Sequence, residues 1–235
     1  MFGLYKKDKL NFALAWIGIY VAALSIADAV SGALGVEKSI TAPLSFILSA
    51  ILWFWLRRHG LKESYGLCKF QGKAAQYLYF LPLAVICSSN LWNGVRLIFT
   101  PAETALYLLS MLCVGFLEEV IFRGFLYGAL REKGVRFAVL ISGVTFGFGH
   151  IVNLLNGAEF LPTLLQVCYA AAIGVLFTVI YHKSGSLHPC IVAHCVVNML
   201  SAFAAERSEG AGIFAAILLV VIPLAYAYWL WKRAE

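Results

Sequence analysis

Three short stretches of this 235-residue chain carry side chains able to do acid–base or hydrogen-bond chemistry inside otherwise apolar surroundings. The first, GFLEEVIFRG at residues 115–124, holds Glu118, Glu119 and Arg123; the second, TFGFGHIVN at 145–153, holds Phe146 and His150; the third, HPCIVAHCVVN at 188–198, holds His194 and Asn198. On a helix turning about 100° per residue, Glu119 and Arg123 share a face at i and i+4, where a carboxylate ahead of a cation pairs well. Glu118 points about 140° away from Arg123 by the same geometry, which leaves its carboxylate free for a partner on another helix. His194 and Asn198 are again i and i+4. A carboxylate with an imidazole can deprotonate a water, and an imidazole with an amide can hydrogen-bond the oxyanion that forms on an attacked carbonyl.

Each of these groups also has a plainer reading. Glu119 and Arg123 can be a buried ion pair that only holds a helix in place, and a lone histidine in an apolar helix is more often a hydrogen-bonded packing group than a catalyst. Glu118, His150 and His194 could instead hold a zinc ion with one position left for water, although no HExxH occurs to strengthen that alternative. Cys195 adjoins His194, but neighbours on a helix point about 100° apart, which argues against a nucleophile–base dyad. His188, just before Pro189, reads as a helix cap or interfacial group and stays outside the candidate site.

The elements that must position these residues follow from composition. With 62% hydrophobic and 13% charged residues and a mean hydropathy of +0.84, the chain lies far outside the soluble range and reads as an integral membrane protein. Spans of about 20 apolar residues are expected at roughly 10–32, 41–56, 75–98, 104–130, 137–154, 160–182, 187–205 and 212–231. That gives an all-α polytopic bundle of about eight transmembrane helices, read as one membrane-embedded domain over 1–235 with a catalytic core at about 104–205. The first span is longer than a signal-peptide apolar core and is expected to remain as an anchor. Six scattered cysteines without a C-x-x-C pair read as small hydrophobes, not as a disulfide framework or a thiolate metal site.

The net charge of +6 is here a matter of topology and no footprint of a nucleic-acid partner. Of 18 Lys and Arg, fourteen fall at one end of the expected spans: Lys6, Lys7, Lys9, Arg57, Arg58, Lys62, Lys69, Lys73, Arg131, Lys133, Arg136, Lys183, Lys232 and Arg233. Lys38 and Arg207 fall at the other, and Arg96 and Arg123 lie within or at the end of spans. The positive-inside rule then makes both termini and the basic loops cytoplasmic. The loop RRHGLKESYGLCKFQGK at 57–73 is the largest aqueous piece; its basic and aromatic residues suit anionic headgroups, and an ordinary solvated connector is the alternative.

A charge at mid-bilayer costs about 3 to more than 10 kcal/mol, so it faces the bundle interior and has a partner. Glu118 lies 13 residues before Arg131 and His150 lies 14 after Arg136, about 20 Å from those cytoplasmic charges at 1.5 Å per residue. His194, seven residues after Leu187, is about 10 Å into its own span. The groups are therefore expected to converge at comparable depth.

The order E-E-x-x-x-R, F-x-x-x-H, H-x-x-x-N, each on its own span, resembles the CAAX protease and bacteriocin-processing family of intramembrane endopeptidases, also called Abi. The resemblance covers spans four to seven. It implies that Glu118 and His150 activate water, that His194 and Asn198 support the oxyanion, and that Glu119, Arg123 and Phe146 orient and stabilise. It further implies a peptide or membrane-protein substrate, lipidated or not. Members carry both glutamic and metalloprotease labels; the metal-free reading, with no cofactor, is favoured here, with zinc on Glu118, His150 and His194 as the alternative. Two other classes stay open: a catalytically silent immunity or binding protein of the same fold, and a proton-coupled transporter in which Glu118 and the histidines relay protons.

Overall fold

The computed structural model describes residues 1–70 and 80–233. Among them the chain is helical, and its one extended contact is an isolated antiparallel bridge between Val95 and Ala204. A short α1 (Phe2–Lys7) leads into α2 (Lys9–Ala33), which is capped by the Asp8 carboxylate accepting from the Leu10 and Asn11 amides at 2.9 and 3.0 Å. Next come α3 (Thr41–Arg58) and α4 (Leu81–Cys87). Helix α5 (Pro101–Lys133) begins with a capping box, in which the Thr100 hydroxyl and the Glu103 carboxylate satisfy each other's backbone amides, and with Pro101 in the first turn. The remaining helices are α6 (Val135–Asn156), α7 (Phe160–Ser184), α8 (His188–Phe203) and α9 (Glu209–Lys232).

Five of these, α2, α5, α6, α7 and α9, are long and apolar enough to cross a membrane, so the chain is a multi-pass membrane protein. Of the eight expected spans, these five meet that length and composition among the described residues. The segment around 187–205 is the short helix α8, and of the segment at 75–98 the described part holds only the short apolar helix Pro82–Leu91 followed by irregular chain; residues 71–79 lie outside the described range. The apolar run there is interrupted by Asn90, Asn93, Gly94 and Arg96, which cannot continue a spanning helix cheaply. Arg96 thereby leaves the spans altogether: its amide donates to the Phe203 carbonyl at 2.9 Å and its guanidinium pairs with Glu206.

Helix α5 is the axis of the bundle. From Val120 to Leu126 every residue is buried, which requires apolar surroundings on all sides, and α2, α3, α6 and α8 pack around it. Over Glu119–Leu126 it widens into a π-helix, a local form that concentrates at functional sites. Helix α6 ends its α-helical part at Gly149 and continues as a 3₁₀ segment from His150 to Asn156. Its approach to α7 depends on absent side chains: a Cβ on Gly147 would sit 2.6 Å from the Ala171 methyl and the Val167 carbonyl. Gly149 is different, because a Cβ there would meet nothing within 4 Å; only the first of these two glycines sets helix spacing.

Candidate active site

The ionisable groups of α5 meet the histidine of α8 in the bundle interior. The Arg123 guanidinium lies 3.1 Å from Glu119 Oε1, both side chains being fully buried, as the i, i+4 spacing predicted. The same Glu119 oxygen lies 2.7 Å from His194 Nδ1, and His194 Nε2 lies 3.2 Å from Glu118 Oε2. The other Glu118 oxygen accepts a 2.7 Å hydrogen bond from the Tyr20 hydroxyl on α2. The result is a chain of contacts, Arg123–Glu119–His194–Glu118–Tyr20, drawn from three helices.

This arrangement revises the expectation that Glu118 points away from the ion pair to a separate destination. Both glutamates reach one imidazole. The α-helical wheel fails here because the π-helix that begins at Glu119 has a wider turn than the 100° helix assumed, so residues 118 and 119 diverge less. The set is neutral in either of two protonation states. With His194 doubly protonated, two cations balance two carboxylates; with the proton on Glu118 instead, Arg123 balances Glu119. Either form avoids net charge in a low-dielectric interior.

Phe146 on α6 fixes the orientation of this chain. Its ring stands edge-on to His150 at 5.3 Å and to His194 at 5.6 Å, and the Arg123 guanidinium lies 4.1 Å from its centroid. Phe177 on α7 covers the same guanidinium at 5.7 Å. The two rings give the buried cation aromatic faces beyond its single carboxylate. Glu119 Oε2 has no donor among the described residues.

A cavity of about 380 Å³ opens directly onto this cluster. Tyr20, Glu118, Phe146, His150, His194 and Asn198 all line it, so the structure brings every candidate residue with a free or reactive head to one space. Glu119 and Arg123 stay behind the wall. His150 and the Asn198 side-chain amide face the cavity with no hydrogen-bond partner among the described residues, which leaves a proton acceptor and an amide donor available to a bound molecule. His188 is exposed at the start of α8 and does not line the cavity. The Cys195 thiol donates to the Leu112 carbonyl at 3.4 Å, in the seam where α8 touches Gly115 of α5. Among the described residues no group of three His, Cys, Asp or Glu side chains is arranged to hold a metal ion, and both His194 nitrogens already face carboxylates.

Residues 100–200 match the family described as Rce1-like type II CAAX prenyl endopeptidase. The resemblance read from the three motifs stands. The match begins at the Thr100 cap of α5 and ends at Leu200 in α8, so the three motifs of this chain all lie within it. No curated protein and no solved structure matches the chain. Tyr20 lies outside the matched region, and sequence reasoning missed it: a tyrosine in an apolar helix, without charged neighbours or a motif, carries no signal of a partner 98 residues away.

Proposed function

We propose that this protein is an intramembrane endopeptidase that hydrolyses a peptide bond of a membrane-associated or lipidated peptide or protein, in a cavity within the bilayer. The observation that carries the reading is the convergence of Glu118, His150, His194 and Asn198 on one cavity, within a region matching a CAAX endopeptidase family. Glu118 takes a proton from a water held between it and His150 as the water oxygen bonds to the scissile carbonyl carbon, and the resulting carboxylic acid gives that proton to the departing amine nitrogen as the C–N bond breaks. The Asn198 amide and the His194 Nε2–H donate to the oxyanion that develops on the attacked carbonyl, while Glu119 holds the Nδ1 side of His194. Arg123 and Phe146 position Glu119 and the two imidazoles. The reaction is metal-free in this scheme, which the engagement of both His194 nitrogens supports. The protein sits in the cell membrane with its basic ends cytoplasmic.

The test is processing of a peptide and lipidated-peptide library by purified protein, wild type against Glu118→Ala and His150→Ala, with and without a chelator. Cleavage lost in both variants and indifferent to chelator is the expected result. Equal processing by wild type and Glu118→Ala ends the protease reading. Loss on chelation with recovery on added zinc overturns the metal-free scheme.

A further inference from the structure

The two ends of the bundle differ in charge and in access. At one end Lys183 Nζ reaches the Arg233 carbonyl at 3.2 Å, the Tyr65 hydroxyl donates to that of Tyr5 at 3.2 Å, and the Phe2 ring stacks on His59 at 3.9 Å. The termini of α2, α3, α5, α7 and α9 that carry the basic set therefore lie together. At the other end Lys38 pairs with Asp28, the Glu37 amide donates to Glu103, Arg96 pairs with Glu206 and Arg207 donates to the Ser89 carbonyl. Among the described residues, the excess of Lys and Arg thus lies on a single face.

Access runs the opposite way. The cavity has its floor at Glu118, Phe122, Phe146 and His194, whose exposures are 8%, 2%, 5% and 6%. Beneath that floor, toward the basic end, Arg123, Phe125, Leu126 and Tyr127 are solidly buried. Below them again the connector after α3 seals the bundle. Tyr65 packs on Gly124 and Gly128 of α5 and on the Phe125 ring at 4.9 Å. The Gly66 carbonyl accepts from the Leu187 amide at 2.8 Å, and the Ser186 hydroxyl donates to the Cys68 carbonyl at 2.7 Å. Burial pushes the Tyr65 phenol far above its ordinary range, so this seal stays uncharged. In its described part the connector is a plug, with Arg57, Arg58 and Lys69 exposed on its outer side. At the opposite end the cavity is rimmed by Lys38, Asn90, Asn156 and Arg207, and Asn156 is exposed.

We infer that the substrate reaches the site from the face opposite the basic loops, which the positive-inside rule makes the non-cytoplasmic face. The peptide cleaved is then one presented outside the cytoplasm: an exported peptide, or an external terminus or loop of a membrane protein. A purely cytoplasmic tail meets the Tyr65 plug and some two turns of packed core before it meets Glu118. The substrate class rests on the endopeptidase reading, whereas the position of the mouth does not.

Two measurements separate these claims. In the first, intact cells expressing Asn156→Cys or Ser64→Cys are treated with a membrane-impermeant maleimide, and label at each introduced thiol is read by peptide mass spectrometry against the wild type. Asn156→Cys is expected to label from outside, and Ser64→Cys only after permeabilisation; the reverse pattern overturns the inference. In the second, a fluorogenic peptide cleaved by the detergent-solubilised protein is added to sealed vesicles of either orientation. Right-side-out vesicles are expected to cleave it at once, and inverted vesicles only after detergent; cleavage confined to intact inverted vesicles overturns the inference. Should the solubilised protein cleave no peptide at all, the endopeptidase reading fails while the labelling still decides the orientation.

Discussion

Replacing Tyr20 with Phe removes one hydroxyl and keeps the ring that packs α2 against α5. The hydroxyl donates 2.7 Å to Glu118 Oε1, in a setting where Tyr20 is 8% exposed. A hydrogen bond to a charged group is worth about 1.5–3 kcal/mol. If Glu118 must hold its orientation through the chemical step, that loss corresponds to about 10- to 150-fold in rate at 1.36 kcal/mol per decade. The same loss in the resting state lowers the unfolding temperature by about 3–12 °C, at roughly 2–4 °C per kcal/mol for a chain of this size. Steady-state cleavage of the best library peptide, with thermal unfolding in the same detergent, separates the two effects. The expected result is a reduced kcat with KM unchanged in a protein still fully folded at the assay temperature. A folded Tyr20→Phe protein with kcat within twofold of wild type, or one whose KM alone rises, refutes the claim that this phenol positions the carboxylate.

Other variants probe the rest of the site. His150→Ala is expected to abolish cleavage with little change in thermal stability, because the imidazole bonds to no described group and faces the cavity; a large drop in unfolding temperature would make it a packing residue. Arg123→Met leaves Glu119 uncompensated beside His194 and is expected to cost about 3–5 kcal/mol, whereas Arg123→Met with Glu119→Gln restores neutrality and recovers much of that stability without restoring activity, as paired thermal and cleavage assays would show. Gly147→Ala forces a methyl into the Ala171 and Val167 contacts at 2.6 Å and is expected to destabilise by about 1–3 kcal/mol. Gly149→Ala meets nothing within 4 Å and should be neutral or slightly stabilising in the same melt.

The motif residues were legible because membranes make polar groups conspicuous. Glu118, His150, His194 and Asn198 stand out in apolar runs; depth along each span, measured at 1.5 Å per residue, put them at a similar level, and all four line one cavity. Rotation about the helix axis was less legible than depth. The pair Glu119 and Arg123 followed from i, i+4 spacing, but the separation of Glu118 from Glu119 assumed an α-helix where the chain forms a π-helix, and no residue in EVIFRGFL announces that change. Helix length was less legible than hydropathy: α8 and Pro82–Leu91 are apolar but shorter than the five long helices, and residues 71–79 lie outside the described range. The loop at 57–73 holds more than its charges suggested: Arg57, Arg58 and Lys69 are exposed, while Tyr65 and Leu67 are buried at 8% and 9%, with Tyr65 received by the glycines of α5.

The adjacency of two glutamates acquires a physical reason from the contacts of His194. One carboxylate beside Arg123 would leave the imidazole with a single fixed partner and a ring free to turn about it. With Glu119 at Nδ1 and Glu118 at Nε2, both ring nitrogens are held and the ring cannot rotate without breaking a buried contact. Glu119, paired with Arg123 behind the wall, is the fixed end of this chain; Glu118, reached by Tyr20, is the end that lines the cavity. A proton can therefore move between Glu118 and His194 without changing the net charge of the buried set, so the low-dielectric interior opposes that transfer less than it would oppose creating a new charge. In the endopeptidase proposed above, that neutrality is what lets acid–base chemistry proceed in a buried interior, and it draws on both glutamates on one helix, the arginine one turn on, and the widened turn that lets neighbouring side chains face the same ring.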